Sequence, residues 1–489
     1  MQLTKTNFIQ YLHCPESLWL LKNKEEDYPK GEFSLFLEKL IKEGYEVESY
    51  AQKLFPNGNK LPSFTTPEQT ALALSDNNSH YFQPSFETQK GAYAVIDILK
   101  RKGDGSWHIY EVKSSNSIKT DKNHNHIKDA CFQKYVMTEC GYTISQVSII
   151  HLNKDFVKQG TIEPIELLEI VDITDEVNII YSSTVNDINA ALNFIKKDID
   201  LIQCSCIEKT RSNHCDAFQY FNPQVENHSI YEINRISTKK IEELRELGVL
   251  QIEDVPDNFE LNEKQQLQVL SNKRKEPIIN TNEIQQILNK LNFPLHFIDY
   301  ETYPAAVPKL DGMSPHEHLT FQVSIHTLLS DSTLKHNEYL SDNLELPENL
   351  LKLMKDTTGE AGTFISWYAP FETSRNKEMI KLFPEYESYL QYINDNMFDL
   401  ETIFHSLYVD YRFLGRTSIK NVLPVLVPNL SYKDLNIQNG TMALDTWGRT
   451  ILKPEEFEDL GKVRNDLLKY CELDTLGMVE IYEYLIALN

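Results

Sequence analysis

Apolar and polar positions change period several times along the chain, and those changes divide it. From Phe8 to Trp19 (F-I-Q-Y-L-H-C-P-E-S-L-W) the spacing is helical, with Pro15 opening a second helix directly after Cys14. A longer helix is predicted over Gly31–Leu54, with Gly44, Val47 and Ala51 along it. The period then drops to two. Tyr81–Tyr93 predicts a strand, and Ile96–Ser115 predicts a β-hairpin. In that hairpin one apolar run ends at Leu99, Gly103 to Gly105 turn the chain, and a second run returns from Trp107 to Val112. Helices are predicted at Asp129–Gly141 and Ile179–Asp198, with a strand at Val147–Asn153 between them. Tyr231–Leu270 is polar and helical, with Ile236, Ile241, Leu244 and Leu247 in register and Gly248 as a C-cap. A helix at Asn282–Leu291 precedes a strand at Pro294–Glu301. The expectation is an α/β multidomain chain: a domain over 1–225, a helical connector over 226–290 and a domain over 291–489.

Polar residues inside the apolar runs carry the candidate chemistry. Asp97 interrupts the first strand of the hairpin, and Glu111 and Lys113, two apart, leave one face of the second. Two carboxylates and an ammonium on facing strands can hold Mg²⁺ and steady a phosphate, although an amphipathic hairpin with a solvated charged face has the same pattern. In the second half, Asp299 and Glu301 share a strand face, Glu372 follows a strand at Thr363, and Asp399 comes one element later. Tyr470 and Asp474, four apart, share a helix face. Arg416, Ser418 and Lys420 in G-R-T-S-I-K read as a loop for a substrate backbone, while His318 and His326 suit core or loop equally.

Charge and cysteine usage narrow the class. The 489 residues carry a formal net charge of −24, which argues against coating nucleic acid by bulk electrostatics but leaves room for acidic metal sites. The N-terminus lacks a signal-peptide core and no apolar run approaches the roughly 18 residues of a membrane span. A cytoplasmic chain with no membrane partner is expected. The seven cysteines do not form an even disulfide framework. Cys204, Cys206 and Cys215 follow C-x-C-x₈-C, a spacing open to zinc, with His214 available as a fourth ligand. Lys119–Lys128 (K-T-D-K-N-H-N-H-I-K) suits a DNA-contacting loop or a solvated one.

Taken together, these motifs resemble two nuclease superfamilies. Asp97, Glu111 and Lys113 resemble the PD-(D/E)XK site in its RecB-like branch. G-x-x-V-E-x-x-A from Gly44 resembles that branch's first helical motif, with Glu48 where a histidine commonly touches the metal; a metal contact and a solvated helix face both stay open for it. Gln133 and Tyr135 resemble the Q-x-x-x-Y helix after E-x-K, the tyrosine displaced, and the resemblance implies substrate contacts for both. Cys14 with the later trio resembles the iron–sulfur type related to CRISPR-associated exonucleases, although the trio departs from C-x₂-C-x₅-C. A 4Fe–4S cluster, zinc or no metal remain possible, and a metal would close a loop of about 190 residues.

The C-terminal motifs resemble DEDD exonucleases of ribonuclease-H-like fold, Glu372 standing in an aspartate's place. That resemblance implies that Asp299, Glu301, Glu372 and Asp474 bind two Mg²⁺ or Mn²⁺ about 4 Å apart, with Tyr470 orienting water. The whole resembles bacterial fusions of a RecB-like nuclease with a ribonuclease-H-like domain of largely unassigned function. The expected activity is metal-dependent hydrolysis of DNA, ahead of RNA, with a 3′→5′ exonuclease site, in repair or phage defence; no protein partner is named. The rivals are a protein in which one module cuts and the other binds, and a non-enzymatic subunit that binds nucleic acid or a partner.

Overall fold

The computed structural model describes residues 1–29, 35–62, 64–76, 78–121, 124–199 and 203–488. Two compact units emerge: Met1–Gln224 with Ala305–His316, and Val225–Pro304 with Glu317–Asn489. The expected connector over 226–290 is therefore part of the second unit, and 305–316 goes with the first.

In the first unit, Thr4 caps α1 (Lys5–His13) by accepting from the Asn7 amide while the Asn7 side chain accepts from Thr4. Cys14 is extended and separates α1 from α2 (Pro15–Asn23), whose first residue is the proline. Helix α3 (Leu35–Lys53) fills the described part of the predicted Gly31–Leu54 helix; residues 31–34 lie outside the described residues. A small sheet has the order β1-β5-β4: β1 (Leu3–Thr4), β5 (Ala92–Val95) and β4 (Ser85–Glu87). A six-stranded sheet has the order β2-β3-β6-β7-β8-β9: β2 (Asn59–Lys60), β3 (His80–Phe82), β6 (Ile98–Arg101), β7 (Trp107–Lys113), β8 (Ile144–Leu152) and β9 (Leu168–Asp172).

The predicted hairpin is the antiparallel pair β6–β7. The predicted Tyr81–Tyr93 strand is instead several short strands. Asp97 is not in a strand either: the chain leaves the small sheet after Val95 and enters the large one at Ile98, with Ile96 and Asp97 making the passage. Strand β7 runs parallel to β8 through α4 (His126–Glu139), which begins inside the predicted basic segment; Lys122 and Asn123 of that segment lie outside the described residues. Both faces of the sheet are covered. Ile109 and Ile149 pack with Phe132 of α4 and Ile188 of α5 (Thr174–Phe194), and Tyr110 and Ile150 pack with Val47 and Ala51 of α3. That double burial explains why β7 reads as a run rather than an alternation.

In the second unit, α6 (Thr238–Glu246) and α7 (Glu263–Arg274) precede β10 (Ile278–Ile279). The main sheet has the order β13-β12-β11-β14-β15: β11 (Leu295–Pro304), β12 (His318–Leu328), β13 (Leu334–Leu340), β14 (Thr363–Ser366) and β15 (Met397–Asp399). Strands β11, β12 and β13 are antiparallel neighbours, while β14 and β15 add in parallel. Strand β11 does not end at Glu301 as expected but continues to Pro304, with a register shift between Glu301 and Thr302. A short strand β16 (Tyr408–Val409) pairs with β10 and ties the 226–290 segment into this unit. Ile298 and Tyr300 pack with α8 (Glu348–Thr358) and α9 (Pro370–Leu382) on one face. The alternate residues Phe297, Asp299 and Glu301 face the other way, toward α11 (Gly440–Leu452) and α12 (Leu460–Ile486), on which α10 (Ile419–Leu426) packs. Phe297 meets Tyr482 of α12 edge to face at 5.8 Å. Among the described residues no helix is long and apolar enough to cross a membrane.

Gly415 marks where backbone meets backbone. Its φ is +67°, and a Cβ there would lie 1.9 Å from the Glu232 carbonyl oxygen. Gly415→Ala should destabilise the second unit by more than about 1 kcal/mol, because it combines a left-handed backbone with a steric clash. A thermal melt unchanged from wild type would contradict this packing.

Candidate metal centres

Asp299 and Glu301 leave β11 on the face that α12 crosses, and Asp474, one helical turn after Tyr470, comes down to meet them. One oxygen from each of Asp299, Glu301 and Asp474 lies within 4.8 Å of the others. Glu301 and Asp474 are 8% and 6% exposed. The Tyr432 hydroxyl donates to Asp474 Oδ1 at 2.5 Å, Lys420 Nζ donates to the Tyr470 hydroxyl at 3.1 Å, and Cys471 Sγ donates to Asp299 Oδ2 at 3.6 Å. Burial, then the charges of Asp474 and Glu301, raise Asp299 well above the usual carboxylate range. Burial and Asp474 push Glu301 up to about 8, and burial lifts Asp474 to about 6 against the pull of Tyr432 and Lys420. Glu372, in the first turn of α9, is 2% exposed and stands outside the triplet; burial pushes it up to about 8, and its own charge raises Asp299 and Glu301.

The sequence-predicted loop is split between two places. Lys420 reaches the carboxylate centre, whereas Arg416 and Ser418 line a cavity of about 780 Å³ together with Trp367, Tyr368 and Asp399. Asp399 accepts from the amides of Tyr368 and Glu401 and so orders the turn after β14.

In the first unit, Glu111 is 1% exposed on β7, and Gln133 Nε2 of α4 donates to its Oε2. Lys113 Nζ lies 2.8 Å from Glu111 Oε1 and 2.5 Å from Asp129 Oδ2. Lys5, in the first turn of α1, also pairs with Glu111 Oε1. Burial pushes Glu111 up, but Lys113 and Lys5 outweigh it and hold this carboxyl below its usual range. Asp97 accepts from the Val112 amide at 2.8 Å; burial and the Glu111 charge push it up to about 8. Gln83 donates to Glu48 at 2.6 Å and to Asp97 at 3.4 Å, joining those two acids. Glu48, Asp97 and Glu111 form no cluster as tight as the Asp299 triplet.

Tyr135 does not reach this centre. It is 1% exposed among Phe132, Val136 and Cys131 in the core. The cause is helical: two residues apart on α4 is about 200° of rotation, so with Gln133 turned to Glu111, Tyr135 turns away.

All four predicted cysteines converge. Cys14, Cys204, Cys206 and Cys215 are buried free thiols whose sulfurs lie within 4.8 Å of one another. Asn222 Nδ2 donates to Cys204 Sγ and the Ser17 amide donates to Cys14 Sγ, each at 3.4 Å. His214 is not in the cluster; its ring stacks on Phe218 and its Nε2 meets the Lys209 carbonyl at 3.1 Å. The group could hold a metal. Lys5, Asp129, Tyr432 and Cys471 were missed from sequence, because none sits in a recognisable spacing: Lys5 is 106 residues from Glu111 and Tyr432 is 42 from Asp474.

A family model described as a domain of unknown function (DUF2779) matches residues 296–418. That span holds Asp299, Glu301 and Glu372 and stops before Lys420, Tyr470 and Asp474. The chain is similar to "Uncharacterized protein MG366" of Mycoplasma genitalium, 25% identical over 220 residues, covering 41% of this chain and 33% of that protein. The homologue of that protein in Mycoplasma pneumoniae is 26% identical over 220 residues, with the same coverage. The chain thus spans about a third of the length of the curated relatives it matches.

The crowded acids set a pH dependence. Glu301 keeps its proton to about pH 8 when folded, against about 4 when unfolded. At this group the native state therefore binds more protons in that window, and its contribution to metal-free stability falls as pH rises through it. Melting temperature in EDTA, taken as wild type minus Glu301→Gln so that the buried histidines held near 4 cancel, should drop from about pH 5 to about pH 8, and Mg²⁺ or Mn²⁺ should restore it more at pH 8 than at pH 5, where protons compete. A wild-type minus Glu301→Gln difference that rises over this range in EDTA contradicts the burial of Glu301.

Proposed function

We propose that the chain is a metal-dependent nuclease whose second unit carries the principal hydrolytic centre. The observation behind this reading is the convergence of Asp299, Glu301 and Asp474 within 4.8 Å in a buried setting, beside Tyr470 and Lys420. An all-oxygen donor set suits Mg²⁺ or Mn²⁺. When bound, such ions supply an activated water and neutralise charge on the leaving oxygen. The protein's own part is positional. Asp299, Glu301 and Asp474 would hold the cations, and Glu372 adds negative charge from the start of α9. Tyr470, steadied by Lys420, directs the water, and the Lys420 ammonium faces developing negative charge. Arg416 and Ser418 line the cavity that receives the nucleic-acid backbone. The five-stranded sheet, three strands antiparallel and two added in parallel, supports the ribonuclease-H-like reading.

The first unit supports a PD-(D/E)XK reading: Asp97 and Glu111 as metal ligands, Lys113 at the phosphate, Gln133 orienting Glu111, and Glu48 joined to Asp97 through Gln83. A second reading has a specific observation in its favour. Glu111 is already held by two ammonium groups and the acids there do not form a tight triplet, so the first unit binds nucleic acid while the second cuts. In either case the substrate is DNA ahead of RNA, in the cytoplasm, in repair or phage defence.

The cysteine centre is read as a metal staple from Cys14 to the Cys204–Cys215 stretch. Tetrahedral zinc with Zn–S bonds of about 2.3 Å sets its sulfurs about 3.8 Å apart, so the observed spacing suits one ion directly. A 4Fe–4S cluster, as the sequence resemblance implies, needs the sulfurs to spread. Cys206→Ala should lose the bound metal and lower the melting temperature of the first unit. Brown protein rich in iron supports the cluster, colourless zinc-loaded protein supports the single ion, and wild-type protein with no metal after anaerobic purification removes the staple altogether.

Activity separates the units. Asp299→Ala should abolish release of mononucleotides from the 3′ end of labelled strands in Mg²⁺ or Mn²⁺, a loss of about a hundredfold or more. Lys113→Ala should remove any remaining cleavage, with a melt run alongside because it also takes one of two ammonium groups from the buried Glu111, and cleavage by the folded variant should be unchanged if the first unit only binds. Unchanged cleavage of DNA and RNA by Asp299→Ala would end the nuclease reading of the second unit.

A further inference from the structure

Strand β12 runs beside β11, with Ser324 opposite Asp299 and His326 opposite Phe297. Strand β13 continues the sheet, with His336 opposite His326. Directly opposed residues of antiparallel strands share a face, so Ser324, His326 and His336 lie on the same side of the sheet as Asp299. Helix α12 supplies Glu472 and Thr475 to this side. The two imidazoles stack at 4.3 Å, and His336 Nδ1 lies 3.7 Å from Glu472 Oε1. One ligand atom from each of His326, His336 and Glu472 lies within 4.8 Å of the other two.

The surrounding hydrogen bonds decide which ring nitrogens carry protons. The Thr475 hydroxyl donates to the Glu472 carbonyl at 3.1 Å, so its oxygen accepts from its other two neighbours. Those are Ser324 Oγ at 2.7 Å and His326 Nδ1 at 2.8 Å. Ser324 has then spent its proton on Thr475 and accepts from His336 Nε2 at 3.0 Å. One consistent assignment follows: His326 is protonated on Nδ1 and His336 on Nε2. The remaining nitrogens, Nε2 of His326 and Nδ1 of His336, are bare lone pairs, and the latter faces a carboxylate oxygen that is also an acceptor. The rings stack at 20°, so these lone pairs run side by side, and the acceptor pair His336 Nδ1–Glu472 Oε1 at 3.7 Å is satisfied either by a second proton on His336 or by a metal ion. A hydroxyl behind the His326 ring, fixing its tautomer and orientation, is what a metal-binding histidine requires.

We propose that His326, His336 and Glu472 form a separate site for one zinc-class transition-metal ion. Two imidazoles and a carboxylate are a donor set for such ions rather than for Mg²⁺. Zinc holds nitrogen and oxygen donors at about 2.0–2.2 Å in the plane of the ring, so the partly exposed His336 turns out of the stack, exchanging its Ser324 bond for the ion, while Glu472 closes the set. His326 is 4% exposed and anchors the site, while the Glu472 side chain is 43% exposed, leaving room for water as a further ligand. The proposal goes beyond the nuclease reading and does not depend on it, because it uses none of the Asp299 triplet.

The test counts metal. Chelator-treated full-length protein is equilibrated with buffered Zn²⁺ in excess Mg²⁺, and bound zinc per chain and its affinity are measured for each variant. His336→Ala, a change on the half-buried edge strand, should lose one equivalent. Glu472→Gln should weaken the same equivalent tenfold or more. Asp299→Asn and Cys206→Ala should leave it in place, whatever they do to other equivalents. Circular dichroism and a melt confirm that each variant is folded. If His336→Ala binds as much zinc as tightly as wild type, the histidines are only a stacked pair and the proposal fails. If Asp299→Asn removes the equivalent that His336→Ala removes, the ion belongs to the carboxylate triplet and the proposal fails as well. Loss of nuclease activity in Asp299→Asn with this equivalent retained keeps the two readings distinct.

Discussion

Like charges held together out of water are the constraint on which the second unit turns. Three carboxylates within 4.8 Å under a helix repel one another and lose hydration, so protons or cations must be present to neutralise them. The sheet and the helix nevertheless impose the arrangement. Alternation along β11 puts Asp299 and Glu301 on the face that α12 crosses, and the Phe297–Tyr482 contact fixes the helix against that face. Packing energy thus holds a charge configuration that is unfavourable by itself, and the raised Asp299 and Glu301 carboxyls are its consequence.

The first unit meets a related problem differently. Its buried acid, Glu111, is neutralised by protein ammonium groups, Lys5 and Lys113, and by the Gln133 amide. Glu111 is therefore ionised without a metal, whereas Asp97, with a single strong backbone donor, is pushed toward its neutral form. The two units place opposite demands on an incoming cation. In one it relieves repulsion, and in the other it competes with lysines.

Helix α12 serves two places with one short stretch. Tyr470, Cys471 and Asp474 reach the carboxylate triplet, while Glu472 and Thr475 reach the histidine pair. At 3.6 residues per turn these two sets alternate across neighbouring strips of one broad helix face. The sheet below matches them strand by strand, with β11 under the first set and β12 and β13 under the second.

The sequence by itself determined what local periodicity can determine. A period of two makes Glu111 and Lys113 neighbours, and likewise Asp299 and Glu301; a helical turn does the same for Tyr470 and Asp474. A proline after Cys14 announces the break between two helices, where the cysteine is held extended. The α/β character followed from the same patterns. Tertiary structure decided everything that required two distant segments to meet. Lys5 lies 106 residues from the Glu111 it neutralises, and no spacing rule connects them. Tyr432 reaches Asp474 from a short turn without a motif, Glu372 stops short of the triplet, and Tyr135 goes to the core because Gln133 took the site-facing side of α4. Asp97 left its predicted strand because the chain changes sheets there, a choice made by pairing partners rather than by the residues themselves. His326 was open between core and loop in the sequence, and only its register against His336 and the crossing of α12 at Thr475 give it chemical neighbours. Local sequence fixes which face a side chain leaves; what it meets is set by chain crossings whose free energy is spread over the whole core.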